Sequence, residues 1–230
     1  MQQPSPTTFE QLVGAVDVMV FDLGGVLLDT AGLPPVIPEL VAPRSGDFAG
    51  LGHDVATFVG RDRVWSRAEL WARWLGCSAT DDFESGQIDA EEFARRIVDE
   101  LELGVAPGAV HARMDSWLAG PLPTALDLLA ELRQGHPGVR LVCFSNSNPI
   151  HWPQKQRWFG EYLDAMFSSH LLGVAKPHDA AFEAVRAGLG TEPSRIGFID
   201  DNQVNVDAAT RAGWRAFLHV GVPQLDTSLC

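Results

Sequence analysis

The stretch Val16-Asp17-Val18-Met19-Val20-Phe21-Asp22-Leu23-Gly24-Gly25-Val26-Leu27-Leu28-Asp29-Thr30 decides the fold. Its apolar run is too short for a long helix and rich in Val, so it reads as a buried strand. The run delivers one carboxylate, Asp22, and Gly24 and Gly25 follow at once. Glycine lets a backbone turn sharply and approach a ligand closely. In an open α/β sheet, ligands gather at the carboxyl ends of the strands. Taken alone, the stretch is equally a strand end before an ordinary turn. Three later stretches weight it toward chemistry.

Beyond Pro121 and Pro123 the chain alternates helix and strand. Residues 124–134 are amphipathic through Leu128, Leu129 and Leu132, and Gly135, Pro137 and Gly138 stop them. Residues 140–145 read as a buried strand, 152–163 as a helix, 165–169 as a weaker strand and 179–189 as a helix. Residues 195–200 are a further strand, 202–212 a helix ended by Gly213, and 215–219 a last strand. Short apolar strands alternating with helices imply a parallel sheet covered on both faces.

Between the first strand and this alternation the composition changes. Pro34, Pro35, Pro38 and Pro43, with Gly32, Gly46, Gly50 and Gly52, mark a loop-rich linker. From there to Gly120 the pattern is helical and strand-like alternation is absent. Trp71, Trp74 and Leu75 share a helical face, as do Phe93, Ile97 and Leu101, and Val110, Met114, Trp117 and Leu118 repeat it. Four of the seven tryptophans, Trp65, Trp71, Trp74 and Trp117, fall here. Such bulk suits the private core of a small bundle better than an aromatic substrate cage. Residues 31–119 are thus expected to form a helical insert over the strand ends, with 1–30 and 120–230 as the core domain.

Composition bounds the function. The 230 residues suffice for one large domain or a core with an insert, and 46% hydrophobic with 20% charged residues is ordinary for a globular chain. A formal net charge of -13 repels nucleic acid and anionic membrane, so neither is an expected partner. It also repels anionic substrates at long range, so any phosphate site must be locally positive. Cys77, Cys143 and Cys230 form no metal or disulfide pattern and read as reduced thiols. Residues 1–6 lack a secretory pattern, and no apolar run is long enough to span a bilayer, so a cytoplasmic location is expected.

Three more strand ends carry polar groups. They are Ser145-Asn146-Ser147-Asn148, Lys176-Pro177, and Asp200-Asp201-Asn202 with Asn205 a helical step later. Phosphoryl transfer needs such a set: a nucleophile in line with the leaving oxygen, and positive charge on the phosphoryl oxygens. Acids alone repel that substrate, so a cation must sit between them. A few hard oxygen ligands suit Mg²⁺. Asp22 and Asp201 can supply two ligands and a backbone carbonyl a third. The Ser145 hydroxyl and the Asn146 backbone N–H can donate to phosphoryl oxygens, and Lys176 can neutralise both Asp22 and the phosphoryl group.

The order Phe21-Asp22-Leu23-Gly24-Gly25-Val26-Leu27, Phe144-Ser145-Asn146, Lys176-Pro177 and Phe198-Ile199-Asp200-Asp201-Asn202 with Asn205 resembles the haloacid dehalogenase (HAD) superfamily. The Ser145–Asn148 and acidic-pair forms are closest to its sugar-phosphate, α-glucose-1-phosphatase-like branch. The phosphatase part of bifunctional epoxide hydrolases has a similar acidic pair. The resemblance implies a Rossmann-like sheet with the helical insert as a cap. It implies a Mg²⁺-dependent phosphomonoesterase acting on a small phosphate ester, as a monomer or homodimer. Asp22 would attack phosphorus and water would hydrolyse the aspartyl-phosphate. Asp22, the Gly24 carbonyl and Asp201 would hold Mg²⁺, with Asp200 and Asn205 behind them.

One departure matters. The family places a second Asp two residues after the nucleophile as its proton carrier; this chain has Gly24. General acid–base help is worth about 100- to 10,000-fold. The missing acid predicts a slow enzyme, a preference for good leaving groups, or an acid borrowed from the cap. Asp29 reads as a polar loop residue, and His151 and His178 as surface histidines. Arg61, Arg63, Arg67 and Arg73 read as a solvated face from which one arginine can clamp an anion. Asp81–Glu92 resembles a calcium-binding loop, but Phe83 takes a ligand position, so it reads as a turn into the next helix. Two rival functions stand beside the phosphatase. A 2-haloacid dehalogenase also lacks the second acid but needs no metal. The other is a catalytically weak protein that binds phosphate or a partner.

Overall fold

The Val-rich run forms a central strand with all four residues buried. The computed structural model describes residues 8–29, 57–59, 64–66, 73 and 76–220. Within these the chain runs α1 (Phe9–Val13), β1 (Val18–Phe21), β2 (Leu28–Asp29), β3 (Thr57–Val59), β4 (Val64–Ser66), α2 (Ser78–Glu84), α3 (Ala90–Glu100) and α4 (Pro107–His111). It continues with β5 (Gly120–Pro121), α5 (Ala125–Gly135), β6 (Arg140–Ser145), α6 (Trp152–Phe159), β7 (Ala165–Ser168) and α7 (Ser169–Leu172). It closes with α8 (Asp179–Leu189), β8 (Ile196–Asp200), α9 (Gln203–Arg211) and β9 (Arg215–Leu218).

Five strands form one sheet in the order β7-β6-β1-β8-β9. Every neighbouring pair is parallel. The chain leaves β1 and returns on one side as β6 and β7, then on the other as β8 and β9. The carboxyl end of β1, between β6 and β8, is therefore the topological switch point, where such sheets open a crevice. Asp22 stands there, its N–H donating to the Ile199 carbonyl at 2.8 Å.

Side-chain alternation splits the core into two layers. Met19 and Phe21 face α1, α5 and α6 with Leu141, Cys143, Leu128, Leu129 and Phe159. Val18 and Val20 face α8 and α9 with Val142, Phe144, Phe182, Val185 and Phe198. In that second layer Phe182 meets Phe144, Phe198 and Trp214 edge-on at 5.6, 5.6 and 5.4 Å, the geometry that ring quadrupoles favour. Burial on both faces explains why the strands read as continuous apolar runs.

The insert has a core of its own: Phe83, Phe93, Ile97, Val110, Met114 and Trp117 pack together, with Phe83 and Phe93 stacked at 4.5 Å. Two expectations for it are corrected. It contains strands, since β3 pairs antiparallel with β4; three residues each are too few to show alternation in the sequence. Residues 110–118 are not one helix but α4 followed by a 3-10 turn at Met114–Ser116. The tight turn keeps Val110, Met114 and Trp117 on one buried side, so the periodicity was real and the helix was not. The linker at 31–54 and Trp71, Trp74 and Leu75 lie outside the described residues. The two crossings between core and insert run side by side, because β2 pairs antiparallel with β5. Among the described residues no helix is long and apolar enough to cross a membrane.

Candidate active site

Asp22 after β1, Ser145 to Asn148 after β6, Lys176 before α8, and Asp200 and Asp201 at the end of β8 line one cavity of about 240 Å³. Lys176 is its buried centre. Its Nζ donates to Asp22 Oδ1 at 2.8 Å, Asp200 Oδ2 at 2.7 Å and the Phe144 carbonyl at 3.0 Å. The Phe144 and Phe198 rings flank the ammonium at 5.2 and 5.3 Å. Burial alone would disfavour the charge, but Asp200 and Asp22 outweigh it and hold the Lys176 pKa above its ordinary value. Burial pushes the Asp22 carboxyl up to about 6 against the pull of Lys176.

The acidic pair divides its work. Asp200 is saturated: beside Lys176 it accepts from the Asn202 N–H at 2.8 Å and from Asn205 Nδ2 at 3.0 Å. Asp201 bonds no other side chain among the described residues and turns toward the glycine loop, where a Cβ on Gly25 would lie 2.2 Å from its Oδ2. Gly25 has φ +70°, so it admits both the turn and the carboxylate. Oxygens of Asp22, Asp200 and Asp201 lie within 4.8 Å of one another. Three carboxylates against the two ammoniums of Lys176 and Lys155 leave excess negative charge, and the donors are all hard oxygens. This set fits a divalent cation such as Mg²⁺. The structure brings Asp22, Asp200 and Asp201 together, with Asp200 bonded to Lys176 and Asn205 bonded to Asp200.

The second strand end does more than expected. The Ser145 hydroxyl donates to the Asn146 carbonyl at 3.1 Å and accepts from Lys155 Nζ at 2.9 Å. The Asn146 side chain clamps the Lys176 backbone, Nδ2 to its carbonyl and Oδ1 to its N–H, both at 2.9 Å. Ser147 is buried on the cavity wall, and its hydroxyl has no partner among the described residues.

Two charged groups at the cavity were not singled out from the sequence. Lys155 is buried, and burial lowers its pKa against the pull of Asp22 and Glu84. The signal was present: it lies three residues after Trp152 and four before Phe159, on the apolar face of α6. Glu84, the last residue of α2, reaches the cavity from the insert. Burial raises its pKa to about 7, with Lys155 opposing and Asp81 and Asp22 reinforcing.

The remaining candidates resolve simply. His151 is buried, not at the surface: Nε2–H donates to the Met114 carbonyl at 2.7 Å and Nδ1 accepts from Asn148. Burial lowers its pKa to about 4, so it stays neutral. His178 is exposed ahead of α8, and Asp29 lies in β2. Arg73 donates to the Glu100 carbonyl at 2.8 Å, a contact within the insert; Arg61, Arg63 and Arg67 lie outside the described residues. Asp81 and Asp82 belong to α2, and Asp82 pairs with Arg96 at 2.7 Å. The turn into α3 is therefore confined to residues 85–89, and residues 81–84, expected as part of that turn, are the end of α2.

Comparison with known proteins fits this geometry. The chain is 28% identical over 208 residues to the phosphatase MT3486 of Mycobacterium tuberculosis, covering 89% of this chain and 87% of that one. A HAD family enzyme of Bacteroides thetaiotaomicron, in complex with magnesium and inorganic phosphate, superposes with a TM-score of 0.59 at 21% identity over 93% and 98% of the two chains. The L-2-haloacid dehalogenase of Xanthobacter autotrophicus gives 0.60 at 19% identity over 87% and 76%. The family model for haloacid dehalogenase-like hydrolases matches residues 16–213, nearly the whole described fold, and the chain belongs to that family.

Proposed function

We propose that the protein is a Mg²⁺-dependent phosphomonoester hydrolase that takes a small phosphorylated metabolite, such as a sugar phosphate, through an aspartyl-phosphate on Asp22. The observation that carries this reading is the pairing of excess carboxylate with ammonium around one nucleophile. Asp22, Asp200 and Asp201 cluster, with Lys176 bonded to the first two. Carbon–halogen displacement needs no cation and so no such cluster. The relatives named as phosphatase and as a magnesium–phosphate complex support the same direction.

In this reading Asp22, the Gly24 carbonyl and Asp201 hold the ion, which when bound offsets the phosphoryl charge. The free Oδ2 of Asp22 attacks phosphorus while Lys176 holds Oδ1 still. Ser145, the Asn146 N–H and Lys176 bind phosphoryl oxygens, and Ser147 offers a further donor. Lys155 keeps the Ser145 hydroxyl oriented and adds the positive charge that a chain of net charge -13 otherwise lacks. Residues 31–119 act as the cap that selects the ester, and the setting is cytoplasmic. A cavity of about 240 Å³ suits a phosphate with a small organic group.

The test is hydrolysis of p-nitrophenyl phosphate and a panel of sugar phosphates, with halide release from 2-haloacids followed in parallel. Hydrolysis abolished by EDTA and by Asp22→Asn is expected. Halide release without phosphatase activity would establish the dehalogenase instead, and Mg²⁺-phosphate binding with no turnover would establish a binding protein.

A further inference from the structure

The reaction needs a proton carrier, and Gly24 cannot be one. Among the described residues, the insert places one carboxylate in the cavity wall, that of Glu84. Asp22 attacks from the sheet side, so the leaving oxygen departs on the opposite side, toward the insert. Glu84, at the end of α2 in the insert, lines the same cavity as Asp22. It accepts no hydrogen bond and forms no ion pair among the described residues, unlike Asp200, so its oxygens are available.

Its position is fixed by the packing of the insert on the core. Two residues on, Gly86 has φ +72°, and a Cβ there would lie 2.6 Å from the His170 carbonyl of α7. The end of α2 therefore rests directly on core backbone. The 2.7 Å bond of His151 to the Met114 carbonyl and the 3.0 Å bond of Gln154 to the Asp115 carbonyl hold the next part of the insert down.

We propose that Glu84, supplied in cis by the insert, is the general acid and base that replaces the aspartate absent at Gly24. This rests on the phosphatase reading. In the first step the Asp22–phosphorus bond forms, the ester P–O bond breaks, and the Glu84 proton passes to the leaving oxygen. In the second, Glu84 carboxylate takes a proton from water as its oxygen bonds to phosphorus and the Asp22–phosphorus bond breaks. Glu84 ends protonated and the cycle closes.

The protonation balance agrees. Burial raises the Glu84 pKa to about 7, close to the value at which one carboxyl serves in both directions. The charged groups around it are Asp81 on its own helix, Lys155 from α6, Asp22 beyond β1 and Lys176 before α8. The histidines nearby, His151 and His170, have lowered pKa values and stay neutral.

The experiment compares the full-length protein with Glu84→Gln and Glu84→Asp, using Mg²⁺ with p-nitrophenyl phosphate and with an alkyl phosphate. Glu84→Gln should lose about 100- to 10,000-fold in kcat/KM on the alkyl ester, whose leaving group needs the proton. On p-nitrophenyl phosphate it should release about one equivalent of p-nitrophenolate in a burst and then stall, since water is no longer activated. Glu84→Asp should restore part of the alkyl activity. The wild-type decline in alkyl kcat/KM above about pH 7 should vanish in Glu84→Gln. Equal losses on both esters without a burst would overturn the assignment of Glu84 alone. A wild type that hydrolyses neither ester would overturn the phosphatase reading and this proposal with it.

Discussion

Gly25 shows how one missing methyl shapes the site. Gly24 and Gly25 looked alike in the sequence, two flexible residues behind a nucleophile, but their environments differ. Gly24 stands where the family keeps its acid, and Gly25 makes room for Asp201. A Cβ at Gly25 would sit 2.2 Å from Oδ2 and 2.8 Å from Cγ of Asp201, at a φ of +70°. The obstructed atoms end an exposed side chain, so Gly25→Ala can fold by swinging the carboxylate away. The backbone strain costs about 1–2 kcal/mol. Titration calorimetry should then show Mg²⁺ affinity reduced about tenfold or more, approaching that of Asp201→Asn. Unchanged affinity would remove Asp201 from the ligand set.

At the scale of elements, the parallel sheet was legible because its three central strands, β1, β6 and β8, are apolar runs that lead into the polar residues of the cavity. Arg140–Ser145 and Asp179–Leu189 fall where the pattern put them. The insert was less legible because its elements are short: β3 and β4 are below the length at which a period shows. The junction between α2 and α7 was not legible at all, since it depends on a backbone-to-backbone approach at Gly86. A methyl at Gly86 would meet the His170 carbonyl at 2.6 Å with φ at +72°, and neither backbone can yield cheaply. Gly86→Ala should cost roughly 1–3 kcal/mol, read as a fall of several degrees in Tm. Because Asp22, Asp201 and Lys176 stand on the core, Mg²⁺ binding should survive. Turnover of an alkyl phosphate should fall as Glu84 is displaced. Loss of both together would mean that insert and core fold as one unit.

Over the whole molecule, two electrostatic scales oppose each other. The chain carries a formal charge of -13 and pushes an anionic ester away at a distance. Near the phosphoryl position, buried Lys155 and Lys176 pull it in. Salt acts unequally on the two. The Debye length shrinks from about 30 Å at 0.01 M to about 8 Å at 0.15 M, which removes the long-range repulsion while buried pairs are screened far less. With Mg²⁺ saturating, inorganic phosphate should therefore bind several-fold more tightly as potassium chloride rises across that range, the opposite of an enzyme that steers its substrate. Calorimetry at fixed pH measures this directly. Weaker binding with added salt would mean that a positive surface outside the described residues, such as the arginines Arg61, Arg63 and Arg67, guides the anion in. The insert would then recruit substrate as well as select it.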